Sequence, residues 1–317
     1  MLRRLAILLL SLVVAALVLF ILLRLLPGDP SGSLIAVGAD AEQIAAARQQ
    51  VGSDLPLAER FVQFVGQLVR FDLGVSFISR QPVAPDIGDR LAVTLPLTFL
   101  GFVLALLIAI PLGIIAGVRG DRWYGALIST VSQLGVAVPV FWIGILLVAW
   151  LAVDLRFFPS GGFPRRGWEN IGAALYSLAL PAITIGMVMA ASLLRYVRSA
   201  VQDVVGSDYL RNARALGESF SGALLRHGLR NAAAPVVSIM GIELATAFLG
   251  AVVVERVFSL PGLGSMLLLG IDQRDFPSIQ GVLIVSTLLV LVVGFVADLL
   301  QRLIDPRVRD RAAGRPA

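Results

Sequence analysis

The sequence has no cysteine, no lysine, and a single histidine, His227. Without cysteine there is no disulfide framework, no thiolate metal site and no cysteine nucleophile. Without lysine there is no Walker-A phosphate lysine, no Schiff base and no lysine general base. All 26 basic residues are therefore arginine, which in so alanine-rich a chain reads as genomic base bias. Charge is scarce too: 15% of residues are charged, against roughly 25% in soluble domains. What fills the chain is apolar, 57% of 317 residues. A soluble fold of this length cannot hide that much apolar side chain under a polar surface. The composition excludes a soluble globular enzyme, a disordered chain and a secreted disulfide scaffold. It points to a polytopic membrane protein. The net charge of +5 is read as arginine in cytoplasmic loops, not as a nucleic-acid surface.

Six apolar runs fit that reading: Leu5–Leu26, Thr94–Val118, Leu127–Leu151, Leu175–Val197, Val236–Val254 and Ile279–Leu300. Each is long enough to cross a hydrocarbon core of about 30 Å as a helix. Prolines and glycines inside them, such as Pro96, Pro111, Pro139, Pro181 and Gly241, are tolerated in membrane helices and often kink them. The first run follows Arg3 and Arg4 but is longer than a signal-peptide core and precedes no small-residue cleavage site, so it is expected to remain as a membrane helix. With the N-terminus inside, the inner segments sum to +9 and the outer ones to −2, while Glu243 and Asp298 lie within spans. That asymmetry predicts both termini in the cytoplasm.

Two hydrophilic stretches exceed a turn. The outer one, 27–93, contains a helix-compatible stretch at Ala39–Gln50. A second, at Leu57–Arg70, has Leu57, Phe61, Phe64, Val65 and Leu68 at amphipathic spacing, so a small external helical cap is expected. The inner one, 195–235, is the most informative. Ser207 or Asp208 can cap a short helix and Gly217 can end it in a left-handed conformation. A second helix is expected from about Phe220 to Ala232. Tyr209, Ala213 and Leu216 share one face, and Ala213 and Gly217 let another backbone approach closely. From the residues alone, a polar loop folded back on its own bundle is the better explanation of the stretch. The tail 305–317 is polar.

The inner segment resembles the EAA loop of ATP-binding-cassette importer permeases. The generic motif is only partly present: Arg211-Asn212-Ala213 and Gly217 fall in register, but its Glu, first Ala, Ile and Pro are missing. The dipeptide/oligopeptide/nickel permeases of the B-subunit type are matched far better. Asp208-Tyr209-Leu210-Arg211-Asn212-Ala213-Arg214-Ala215-Leu216-Gly217 and His227-Gly228-Leu229-Arg230-Asn231 look like that branch's loop. Leu26–Pro30, Asp72–Ser76, Pro139–Trp142, Glu255–Gly264, Arg274–Pro277 and Asp305–Arg307 resemble its other signatures, in order along nearly the whole chain.

The resemblance implies an all-α polytopic membrane protein of the type I importer permease fold. Its six transmembrane helices would comprise a first helix over 1–26, a cap over 27–93, and a five-helix core over 94–304. It implies a second, similar permease, two ATPase subunits docked on the loop helix, and a solute-binding protein outside. ATP and Mg2+ would be used by the ATPases, and this chain would bind no cofactor and no metal. It would be a bacterial inner-membrane component and not itself an enzyme, with di- or oligopeptides as cargo. Nickel chelates or other small solutes are the alternative. A secondary transporter would call for charge relays or an inverted repeat; one central acid and no repeat are present. An intramembrane serine hydrolase would need a histidine in the membrane, and His227 lies in the loop.

Several residues carry two readings. Glu243, near the middle of the fifth span, is costly there by about 2.5–3.5 kcal/mol unless paired, protonated or facing water. It could line the translocation pathway and meet an amino group, or hydrogen-bond across to the second permease. Pro139 is expected to kink the third span, with any role in gating open. Glu255, Pro261 and Gly264 form an outer turn, either for turn geometry or as a gate or contact for the solute-binding protein. Asp298 is expected to pair with Arg302. His227 is expected to make a structural contact in the loop. Arg165, Arg166 and Trp168 read as a lipid-headgroup anchor.

Overall fold

The computed structural model describes residues 2–25 and 56–304. The expected first-helix exit at 26–30, the helix-compatible stretch at 39–50 and the tail from Asp305 lie outside them. The described residues are helical apart from loops and one antiparallel bridge, Val75 to Pro82. In chain order the helices are α1 (Leu2–Leu25), α2 (Leu57–Val69), α3 (Val83–Val118), α4 (Trp123–Ala137) and α5 (Val140–Leu147). These are followed by α6 (Ile171–Val205), α7 (Asp208–Ala215), α8 (Phe220–Ala223), α9 (Leu229–Val257), α10 (Leu263–Gln273) and α11 (Phe276–Ile304). Five helical stretches are long and apolar enough to cross a membrane, and a sixth arises if α4 and α5 form one bent span.

Two expectations about element limits change. The second span starts at Val83 rather than near Thr94, because Asp86, Asp89 and Arg90 extend the same helix outward as a polar turn, with Arg90 Nε donating to Asp86 at 3.2 Å. The separate loop helix expected over 220–232 does not stand alone. After four α-helical residues it passes through a π-helical turn, Leu224–Gly228, and runs on as α9.

The chain divides into two compact units, Met1–Thr94 with Pro261–Leu291, and Leu95–Leu260 with Val292–Ala317. In the first, α2 is amphipathic as its spacing predicts. Phe61 and Phe64 bring their rings to 5.3 and 5.5 Å from that of Phe20 on α1. A core of Val83, Ile87, Leu263, Met266 and Val282 joins the start of α3 to α10 and α11. Asp275, in the turn between α10 and α11, is buried and fastens the hairpin before α3. It accepts from Ser76 Oγ at 2.6 Å, from the Phe77 amide at 2.9 Å and from Ser278 Oγ at 2.6 Å. Three donors on one carboxylate satisfy the charge without a cation.

In the second unit α3 packs on α6 through glycines. A Cβ on Gly101, Gly113 or Gly117 would lie 2.7 Å from side-chain atoms of Ile185, Val197 or Val201. Each pair is separated by the same 84 residues, so the two helices run parallel and in register. Lipid supplies no hydrophobic drive between helices, so this contact rests on close van der Waals approach. Ser132 on α4 donates to the Ala191 carbonyl of α6 at 2.6 Å. Val197, Val201, Val204, Leu224, Ala232 and Val236 bury the inner ends of α6 and α9 against each other.

The third span is broken. The direction of the chain bends by 103° across Val138 and Pro139, between α4 and the stretch Val140–Asp154, whose second half is π-helical. Pro139 has no amide hydrogen to donate and stands as the N-cap of α5 (φ −62°, ψ 138°). The expected kink is therefore a full change of direction.

Candidate functional site

The loop helix α7 begins after Ser207, whose backbone is extended (ψ 149°), and Asp208 lies in its first turn beside the positive end of the helix. Arg211 pairs with Asp208 on the solvent side. Leu210 is 1% exposed and is the buried anchor of the helix. Burying it removes apolar surface from water and contributes about 1.5–3 kcal/mol. Two members of the face grouped by spacing are exposed: Tyr209 at 39% and Leu216 at 88%. Ala213 is half-buried, while Arg214 and Ala215 are exposed. The Arg214 guanidinium lies 5.7 Å from the centre of the Phe220 ring.

Gly217 closes the helix with φ 99°, beyond where an L side chain sits comfortably, and its amide donates to the Arg214 carbonyl. Glu218 follows and acts as the fastener. His227 Nε2 lies 3.3 Å from its Oε1, Arg226 approaches the same oxygen at 3.7 Å, and the Glu218 amide donates to the Ala213 carbonyl. His227 thus makes the structural contact expected of it, with Asn231 Nδ2 donating to its carbonyl at 3.1 Å, while Arg230 is exposed. Glu218, Ser219, Gly222, Leu225 and Arg226 line a surface groove. Sequence reasoning passed over Leu210 and Glu218. Leu210 is the one large aliphatic inside α7, and Glu218 stands nine residues before the only histidine; both signals were present.

Glu243 lies midway along α9 and accepts from Ser192 Oγ of α6 at 2.6 Å. Its hydrogen-bond partner therefore comes from this chain. Pro139 is exposed at the bend, apart from the loop. Glu255 has no exposed surface and ends α9 among the buried Val254, Phe258 and Leu260. The Gly162 amide donates to the Phe258 carbonyl at 2.8 Å, and a Cβ on Gly161 would lie 2.4 Å from that oxygen. Gly264 is buried and Pro261 half-buried. In this conformation Glu255 and Gly264 offer no surface to a docking protein. Asp298 is exposed on α11, and the Arg302 side chain expected to pair with it lies outside the described residues. Trp168 meets Phe163 edge-on at 5.8 Å. Among the described residues no cluster of His, Asp and Glu could hold a metal ion.

Two family models match this chain of apolar helices with a fastened inner loop. Residues 109–310 match the binding-protein-dependent transport system inner membrane component, and residues 1–98 match the N-terminal membrane component of the same kind of system. The chain belongs to this permease family. The glutathione transport system permease protein GsiC of Salmonella paratyphi A is 37% identical over 308 residues, covering 97% of this chain and 98% of the relative. The protein of that name from Escherichia coli K12 is 36% identical over 299 residues, covering 94% and 95%. Among solved structures, the inward-facing MetNI methionine ABC transporter matches with a TM-score of 0.54 at 17% identity, over 69% of this chain and 96% of that chain. An amino acid ABC transporter with histidines matches at 0.53 and 15%, over 69% and 94%. Likeness at such low identity speaks to the fold, which is that of ABC importer permeases. The permease is a multi-pass component of the bacterial inner membrane.

Proposed function

We propose that this permease forms half of a translocation pathway for di- or oligopeptides, paired with a second, homologous permease. A solute-binding protein delivers cargo from outside. Two ATPase subunits, which bind ATP and Mg2+, dock on α7 from the cytoplasm, and both termini lie on that side. The observation that carries the reading is the form of the inner loop. A short helix is anchored by one buried leucine, is tied to the next element by Glu218, and presents the exposed Tyr209 and Leu216 to whatever lies beneath. Exposed apolar groups on a fastened helix suit a partner surface. Such a lever is a two-state element whose position nucleotide can bias. Peptide cargo draws support from the relatives named glutathione transport permeases, since glutathione is itself a small peptide.

The test is reconstitution of the permease with its neighbouring permease, ATPases and solute-binding protein in liposomes. ATP-dependent uptake of a dipeptide or glutathione is expected, and Leu216→Asp should abolish ATPase copurification while sparing the paired permease. Uptake that persists without ATP, or a chain that never retains an ATPase, sinks the proposal.

A further inference from the structure

Glu243 is fourteen residues from either end of α9, and Ser192 is thirteen from the inner end of α6, so both stand well inside long apolar helices. The Ser192 hydroxyl is the one recorded partner of the Glu243 carboxylate among the described residues. Among the described residues no arginine pairs with it. Arg195, one turn along α6 from Ser192, turns instead to Tyr196. Its guanidinium lies 4.9 Å from that ring and donates to the Tyr196 hydroxyl at 3.2 Å. An ionised carboxylate offers about four acceptor positions, and a single serine fills one. Glu243 is half-buried, and beside it Ile242 and Thr246 are exposed on the same helix. A carboxylate in this state is not held against lipid; charged groups within membrane segments face water, a partner group or a cargo path.

We infer that Ser192 and Glu243 form a station in the pathway that takes the ammonium group of passing cargo, such as the amino terminus of a peptide. Ser192 pins Oε1 and thereby aims Oε2 at the ligand. One carboxylate with no second acid holds a cation strongly enough to admit it and weakly enough to release it, as conduction requires. The inference rests on the reading of this chain as pathway-forming, and it adds the chemical class that the pathway favours.

The absence of cysteine supplies the test. In the assembled transporter, Thr246→Cys and, separately, Ile242→Cys are each the only thiol of this chain. Each is treated with a cationic (2-aminoethyl) and an anionic (2-sulfonatoethyl) methanethiosulfonate, with rates normalised to a free thiol. The cationic reagent should react about tenfold faster. Glu243→Gln should bring the two rates within about twofold, Ser192→Ala should reduce the preference in part, and a saturating dipeptide should slow the cationic reaction. No reaction at either reporter, equal rates in the parent, or a preference that survives Glu243→Gln each overturns the station. Absence of dipeptide protection overturns its assignment to cargo. A cation preference retained by a transporter that imports no peptide leaves the station standing and sinks the peptide reading.

Discussion

At the scale of single residues, a missing methyl group decides where a helix can run. Gly241 on α9 faces Ala297 on α11, and a Cβ at position 241 would lie 2.1 Å from the Ala297 Cβ and 3.6 Å from its Cα. Gly241→Ala forces one helix away and should cost about 1–3 kcal/mol, read as a lower unfolding midpoint in detergent. Ala297→Gly added to it removes the overlapping atom and should recover most of the loss. A double variant no better than the sum of its singles would show that the contact is not what limits the crossing. Asp275 works by hydrogen bonds instead. Asp275→Ala strands two buried hydroxyls and the Phe77 amide, at about 1–3 kcal/mol for each unsatisfied group. The hairpin at Phe77–Gln81 should then loosen and trypsin should cut faster after Arg80 (φ 58°). Neither pairing could be read from the chain, because Ser76 and Asp275 are 199 residues apart. The sequence signals that both lie in family-like motifs, Asp72–Ser76 and Arg274–Pro277, gave no hint that the two motifs touch.

At the scale of elements, local signals were legible where a residue's own chemistry sets the geometry. Gly217 ends α7 in a left-handed turn, and Pro139 breaks the third span, each where its backbone limits require. Spacing also located α2 and its phenylalanine face. Hydropathy was a poor guide to helix ends. It detects lipid-facing composition, so it missed the polar outer turns of α3, and it did not reveal that the helix from Phe220 continues through a π-turn into α9. Spacing within α7 grouped Tyr209, Ala213 and Leu216 on one face but did not single out Leu210, the residue the eight-residue helix buries. The loop geometry itself makes a prediction. A Cβ on Gly217 would meet nothing within 4 Å, so Gly217→Ala adds backbone strain alone, about 1–2 kcal/mol. ATP-driven uptake should fall severalfold at unchanged membrane abundance, with Gly217→Asn milder because asparagine tolerates left-handed backbone. Equal uptake by the alanine variant would mean that the turn need not keep its form during the cycle.

At the scale of the whole molecule, the arginine asymmetry and the bend at Pro139 bear on one question. Five stretches are long and apolar enough to cross unbroken, so the proposal that both termini lie inside requires the bent pair to be a sixth crossing. Two arms of fifteen residues, each about 20–22 Å long and bent 103° away from a straight line, leave ends about 26 Å apart. That separation is close to the roughly 30 Å hydrocarbon core, so the pair is long enough to cross, and the side on which each end lies decides whether it does. Arg122 precedes the first arm and Leu155 follows the second. In right-side-out vesicles, Leu155→Cys should react with a membrane-impermeant thiol reagent while Arg122→Cys should stay silent until the vesicles are opened. Reaction of both from one side would make the pair re-entrant and reduce the crossings to five. Every segment after Asp154 would then exchange sides, and α7 would face outward, beyond reach of any cytoplasmic ATPase. The bend is thus where the orientation drawn from charge and the coupling role drawn from the loop stand or fall together.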